Sequence, residues 1–344
     1  MTAPESRAPP SPFRRALPAA LGIGVSVGLL AWALRGVSAE AVLRHIASAR
    51  SGPLAAAVIV ATLTFPLRLI RWRLLLRDER GEPYRAGPLW HAIALGFTAN
   101  NLLPLRAGEL IRSYTAARLV QARFTTVISS VAVERIFDAL TVVALLTFAL
   151  LTSDLPSSVT VAGTSVTQLA RAAGLAGMVA LLLAIMVVAA PLASERLVRR
   201  LLPSTRLADR IVDLIEAVRH GLAVLRSPAR LAGVILWSLV LWLVNALAFY
   251  LGFAAFDIPV SYAGALLMQG LLALGISVPS TPGFFGPFEA VIVAVLALYG
   301  VPGSLGFSYA LAFHVTTWVP ITLLGLWSLT RTPGGFSALR KTSI

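Results

Sequence analysis

Cysteine is absent from the 344-residue chain, which excludes disulfides, thiolate metal sites and cysteine nucleophiles. Histidine occurs four times, at His45, His91, His220 and His314, spaced too widely to suggest a metal cluster. Lysine occurs once, as Lys341. Charge of either sign is scarce at 13% of residues, about half what a soluble domain carries. No His-Glu-x-x-His, Gly-x-x-x-x-Gly-Lys or Gly-x-Ser-x-Gly signature occurs. The longest hydrophilic stretch, 195–230, is too short for a soluble catalytic domain. A 57% hydrophobic content excludes disorder. The remaining class is an all-α, polytopic helical membrane protein.

Arginine is what the chain has instead: 28 of its 29 basic residues, with a net charge of +14. A genome rich in G and C produces that bias without functional meaning. On a membrane chain, anionic headgroups are a nearer partner than nucleic acid, attracting each arginine by about 1 kcal/mol near the surface.

Hydropathy divides the chain into about 6–8 spans within one unit, 16–330. Residues 1–15 read as a disordered tail. Ala16–Leu34 is a first span, retained rather than cleaved because its apolar run is long for a signal and Arg35 interrupts the cleavage region. Ser38–Arg50 has the spacing of an interfacial amphipathic helix. Pro53–Leu67 begins a span that closes on Arg68, Arg71 and Trp72, where a snorkelling role competes with a binding one. The tryptophans read mostly as interfacial anchors. Leu89–Leu105 is apolar but broken by Asn100, Asn101 and Pro104. Thr125–Thr152, Ala172–Ala193, Leu231–Phe256 and Gly306–Thr330 are further spans, with a Ser/Thr loop over 153–168 and a basic amphipathic segment over 195–230.

Arginine-rich flanks place both tails, 71–85, 106–123 and 195–230 in the cytoplasm and 153–168 outside; the three arginines of 35–50 run against this scheme. Both flanks of 89–105 then lie on one side, so this segment is expected to be a re-entrant hairpin turning at Asn-Asn-Leu-Leu-Pro. The second half has a matching break. Pro104 precedes Gly108 and Glu109 as Pro282 precedes Gly286 and Glu289. Two inverted halves with facing tips would follow, an arrangement that holds transporter substrate sites. Full crossing by Ser261–Ser280 also satisfies parity.

Glu134 and Asp138 share a helix face, with Arg135 within reach, near the bilayer centre. They read either as an ion or headgroup site or as a packing salt-bridge cluster. Arg106, Glu109 and Arg112 share a face just after the break, and an arginine pair at a helix start suits a phosphate. Glu289 is the one formal charge in 258–330, a proton or cation site or a bond to the Pro/Gly turn; His314 reads as an interhelical donor.

These residues resemble a known family. Arg71-Trp-Arg, Asn100-Asn-Leu-Leu-Pro-Leu-Arg106-Ala-Gly108-Glu109-Leu-Ile-Arg112, Glu134-Arg135-x2-Asp138 and Pro279-x-Thr-Pro-Gly-x2-Gly286-x2-Glu289 are similar to the lysylphosphatidylglycerol synthase transmembrane family over about 20–330. The resemblance implies lipid translocation or lipid-linked chemistry in the cytoplasmic membrane, carried by Arg106, Gly108, Glu109, Glu134, Arg135, Asp138 and Glu289. Fused members bear a C-terminal aminoacyl-transferring domain; this chain ends at Ile344, so that activity is not expected. The expectation is a flippase for an anionic phospholipid or polyprenyl-phosphate lipid, more transporter than enzyme, with no cofactor, metal or catalytic residue. Arg68, Arg71, Asn100, Asn101 and Arg112 complete the expected substrate site. The rivals are a membrane-embedded transferase using a lipid-phosphate donor and a non-catalytic lipid-binding subunit.

Overall fold

A computed structural model describes residues 12–103, 107–152, 155, 160–161, 164–189, 195–196, 198–200, 209, 212, 227–276 and 281–332. Arg106, Pro279, both chain ends and most of the basic 195–230 segment lie outside the described residues. The chain begins with α1 (Pro12–Ala33), α2 (Ala39–Ser48) and α3 (Ser51–Leu75). The short helices α4 (Ala86–Leu102) and α5 (Gly108–Leu119) follow, then the long α6 (Phe124–Thr152). A two-stranded ribbon, β1 (Thr160–Val161) with β2 (Thr164–Ser165), leads into α7 (Val166–Ala189). The second half holds α8 (Pro228–Ala255), the short α9 (Tyr262–Gly275), a 3-10 turn (Pro282–Phe284), α10 (Pro287–Leu298) and α11 (Gly303–Arg331).

Four helices, α3, α6, α8 and α11, are long and apolar enough to cross a membrane by length and composition. Their apolar windows are only 22–33% buried inside the protein. Exposed Ile59, Leu63, Leu236 and Leu323 therefore turn outward, as a lipid solvent requires. The protein is an all-α polytopic membrane protein.

Local chemistry sets the boundaries. The Ser38 hydroxyl accepts from the Ala41 N–H (3.2 Å) and Glu40 lies in the first turn, so α2 starts with a side-chain cap and a favourable charge. α3 runs on to Leu75, so Arg68 and Arg71 lie inside a helix rather than at its end. α4 runs through Asn100 and Asn101, so the asparagines do not break it. The break comes at Leu103, which is extended (φ −107°, ψ 146°) because the ring of a following proline disfavours helix. α7 starts six residues earlier than the apolar run because Val166 and Ala170 are buried against the end of α6.

Packing repeats between the halves. α3 lies along α8. α4 packs on α11 as α9 packs on α6, and α6 touches α8 as α11 touches α3. Within each half the short helices pack on each other and the second of them on the closing long helix. The sequence long–short–short–long thus occurs twice, and exchanging the halves preserves the contacts. The second break meets the end of α4: Gly283 lies against the Asn101 carbonyl and the Trp318 indole. Gly283 is left-handed (φ 71°), as is Gly286 (φ 99°), which packs directly on the Ser26 backbone of α1.

Candidate functional site

The first half encloses a charged cluster. Glu134, fully buried on α6, receives a two-pronged bond from Arg112 of α5, Nη1 at 2.9 Å and Nη2 at 2.8 Å. Arg71 of α3 approaches the same carboxylate at 3.2 Å and Arg135 at 2.8 Å. One helical turn on, Asp138 accepts from Arg71 and from the indole N–H of Trp242 on α8 (2.9 Å), and its other oxygen forms an ion pair with Arg135 at 2.9 Å. Arg71 also donates to Ser238 of α8 (3.0 Å). Arg135, the more open cation, reaches Glu109 at 3.5 Å, and both side chains are nearly half exposed.

Aromatic rings complete the first-half cluster. The Arg112 guanidinium sits 3.8 Å from the Trp72 ring centroid, and the Trp72 N–H donates to Ser130 (3.0 Å). Trp72 is fully buried, not an interfacial anchor, because the extended α3 carries it into the core. Arg71 is likewise fully buried, so it does not snorkel: two carboxylates and a hydroxyl take the place of water. Arg68 differs from the others. It makes no ion pair among the described residues. It rests over Phe97 (5.1 Å), its Nε is buried without a partner, and Asp138, Arg135, Arg71 and Glu134 are within electrostatic reach. Among the described residues, four arginines face three carboxylates, one positive charge in excess.

Asn100 and Asn101 serve the break. Asn100 accepts from the Gly108 N–H (2.9 Å), satisfying a free donor at the start of α5. Asn101 donates to Thr322 of α11 (2.8 Å). A side chain at Gly108 would strike the Gly96 carbonyl and Asn100, so the motif's glycine permits backbone contact between α4 and α5. Glu289 stands apart from the cluster. It accepts from the Gly286 N–H (2.7 Å), capping α10, and lies 2.6 Å from Nδ1 of His314.

The structure therefore brings Arg68, Arg71, Glu109, Arg112, Glu134, Arg135 and Asp138 together, keeps Glu289 with His314, and leaves Arg106 outside the described residues. Sequence reasoning missed Ser238 and Trp242. They are four residues apart, on one face of α8. No group of three or more His, Asp or Glu suited to a metal occurs among the described residues.

Fold and site together define an integral membrane protein with a buried, arginine-rich ion-pair cluster. The chain belongs to the family described as the lysylphosphatidylglycerol synthase TM region, which matches residues 19–325. It is 27% identical over 304 residues to a glycosyltransferase, AglD, of Haloferax volcanii, covering 80% of this chain and 48% of AglD, so it spans about half of that relative. It is 23% identical over 322 residues to a UPF0104 membrane protein of Methanothermobacter thermautotrophicus, covering 89% of this chain and 90% of that protein.

Proposed function

We propose that the protein moves a phosphate-bearing lipid, an anionic phospholipid or a polyprenyl phosphate, between leaflets of the cytoplasmic membrane. The observation that carries this reading is Arg68, a cation without a carboxylate among the described residues, whose charge is the one positive excess of the cluster. A phosphate entering there neutralises the excess and gives Arg68 a partner for its planar fork. Arg106, from the break between α4 and α5, is the second phosphate ligand. Arg112 is not, because its fork is taken by Glu134. Glu134 and Asp138 orient the arginines, and Glu109 and Arg135 stand at the open side.

In this reading the two helix–break–helix units re-enter from opposite faces, both chain ends are cytoplasmic, and the halves are inverted. Cysteines placed at Gly87 and Gln121, both exposed, label from the same side of sealed vesicles; labelling from opposite sides means that this unit crosses.

The name of AglD favours a second reading, a membrane-embedded transferase using a lipid-phosphate donor. Against it, both carboxylates are ion-paired with arginines, Glu134 with three and Asp138 with two, which holds them ionised as counter-ions and disfavours either as a base. Reconstitution separates the readings. The purified protein equilibrates fluorescent phosphatidylglycerol or polyprenyl phosphate across vesicles; a transferase makes a new compound, and a binding subunit does neither. Arg68→Lys keeps the charge, loses the fork and slows transport about tenfold, the worth of one charged hydrogen bond. Wild-type rates in Arg68→Lys remove Arg68 from the site.

A further inference from the structure

The closing helices of the two halves match in length. α6 and α11 are both 29 residues long, and α5 and α10 are both 12. Arg135 is the twelfth residue of α6, and His314 is the twelfth of α11. Each faces a glutamate in the first turn of the preceding short helix: Arg135 faces Glu109 at 3.5 Å, and His314 faces Glu289 at 2.6 Å. One acid–base pair therefore occupies equivalent places in both halves. In the first half the base is arginine, always charged. In the second it is histidine, the side chain whose charge changes near neutral pH.

We infer that the His314–Glu289 pair is a proton-binding site that latches the second break against α11, the titratable counterpart of the fixed Arg135–Glu109 pair. Nδ1–H of a neutral imidazole donates to Glu289. A proton taken up at Nε2 makes the imidazolium, and the bond becomes a charge-assisted ion pair; loss of that proton reverses the change. No other reactant is needed. Glu289 transmits the event because its second oxygen accepts from the Gly286 N–H, at the left-handed turn between the 3-10 segment and α10. Phe285 and Phe288 stack on the imidazole, centroids at 4.5 and 4.0 Å, and both faces of an imidazolium suit aromatic rings. Both side chains are over nine-tenths buried, so a proton arriving there changes a charge that water does not screen.

The titratable and charged groups on the elements around the pair are few among the described residues, and His314→Gln separates the pair from the two other histidines, His45 and His91. Over 22–33, α1 brings no titratable residue. α9 brings only Tyr262, bonded to the Leu243 carbonyl. α10 carries Glu289 alone. On α11, Tyr309 is bonded to the Phe249 carbonyl and Arg331 lies at the far end. Against α11, α2 sets Glu40 paired with Arg44, and His45; α4 sets His91, beside Ser328. From α3, Arg68 and Arg71 belong to the first-half cluster and Arg73 bonds the Tyr84 carbonyl. α8 brings Arg230 and Tyr250.

The test uses the purified chain in detergent and no lipid substrate, so its failure leaves the transport reading standing and the reverse also holds. A single cysteine replaces Thr281, which bonds Ser26 of α1 and the Phe285 carbonyl across the turn. Its labelling by a thiol reagent is normalised to a reference cysteine at exposed Ser48. The normalised rate rises about tenfold from about pH 5.5 to about pH 8, the difference between a charge-assisted and a neutral bond. His314→Gln and Glu289→Gln are each flat and fast. A flat parent profile overturns the inference, as does a pH dependence kept by either variant. Should one variant aggregate, the parent profile and the other variant decide.

Discussion

The two halves share a plan and differ in what holds it together. The eighteenth residue is Arg68 in α3 and Asn245 in α8; the twenty-first is Arg71 or Ala248. The eleventh and fifteenth are Glu134 and Asp138 in α6, but Phe313 and Thr317 in α11. Where the first half joins its helices by ion pairs, the second stacks Phe249 on Phe313 (4.8 Å) and bonds Asn245 to Gln269 (2.8 Å). One architecture thus tolerates two interiors. Apolar packing with a few polar pairs builds the second half, so the architecture itself does not require the charged cluster, whose desolvation is costly. In the proposed reading, that excess of expensive charge marks the first half as the one that binds the lipid.

The comparison breaks most visibly at Glu134. Glu134→Gln removes the charge that three arginines share. Arg71 and Arg135 keep Asp138, but Arg112 is left buried without a carboxylate, at a cost of about 3–5 kcal/mol. Purified in detergent, this variant unfolds far below the parent or fails to accumulate. Glu289→Gln keeps an oxygen for the Gly286 N–H and an amide facing His314, so its cost is about 1–2 kcal/mol. Equal losses in the two variants would mean that the halves are not held differently.

How much of this is legible in the sequence follows from the same contrast. Glu134, Arg135 and Asp138 are visible because charge in an apolar run is rare and their spacing fixes one face. Their partners are not. Arg71 reads from hydropathy as the closing end of a span, since hydropathy does not register that buried arginines continue a helix when carboxylates await them. Ser238 and Trp242 are lost in an uncharged run. Arg112 shows a limit of chemistry rather than of pattern. Its fork fits phosphate and carboxylate equally, and the sequence does not say that Glu134 is nearer. The repeat is legible as Pro-x3-Gly followed by Glu, yet the pairing of Arg135 with Glu109 and His314 with Glu289 needs helix packing to bring α5 onto α6 and α10 onto α11.

The smallest expected effect sharpens the comparison at the rings. Both halves place an aromatic face against a basic group: Trp72 under Arg112, Phe288 against His314. In the first half the ring also carries a polar bond, from the indole N–H to Ser130. Trp72→Phe keeps a face under the guanidinium but weakens the cation–ring attraction and deletes that donor. The Ser130 hydroxyl keeps its own bond to the Val127 carbonyl, so no donor is stranded. The two losses together come to about 1–2 kcal/mol, within what a buried neutral bond and part of a cation–π contact contribute. Thermal unfolding of the purified variant should register that much and no more, because Arg112 retains both bonds to Glu134. A loss approaching that of Glu134→Gln would place the ring, rather than the carboxylate, at the centre of what orders the first half.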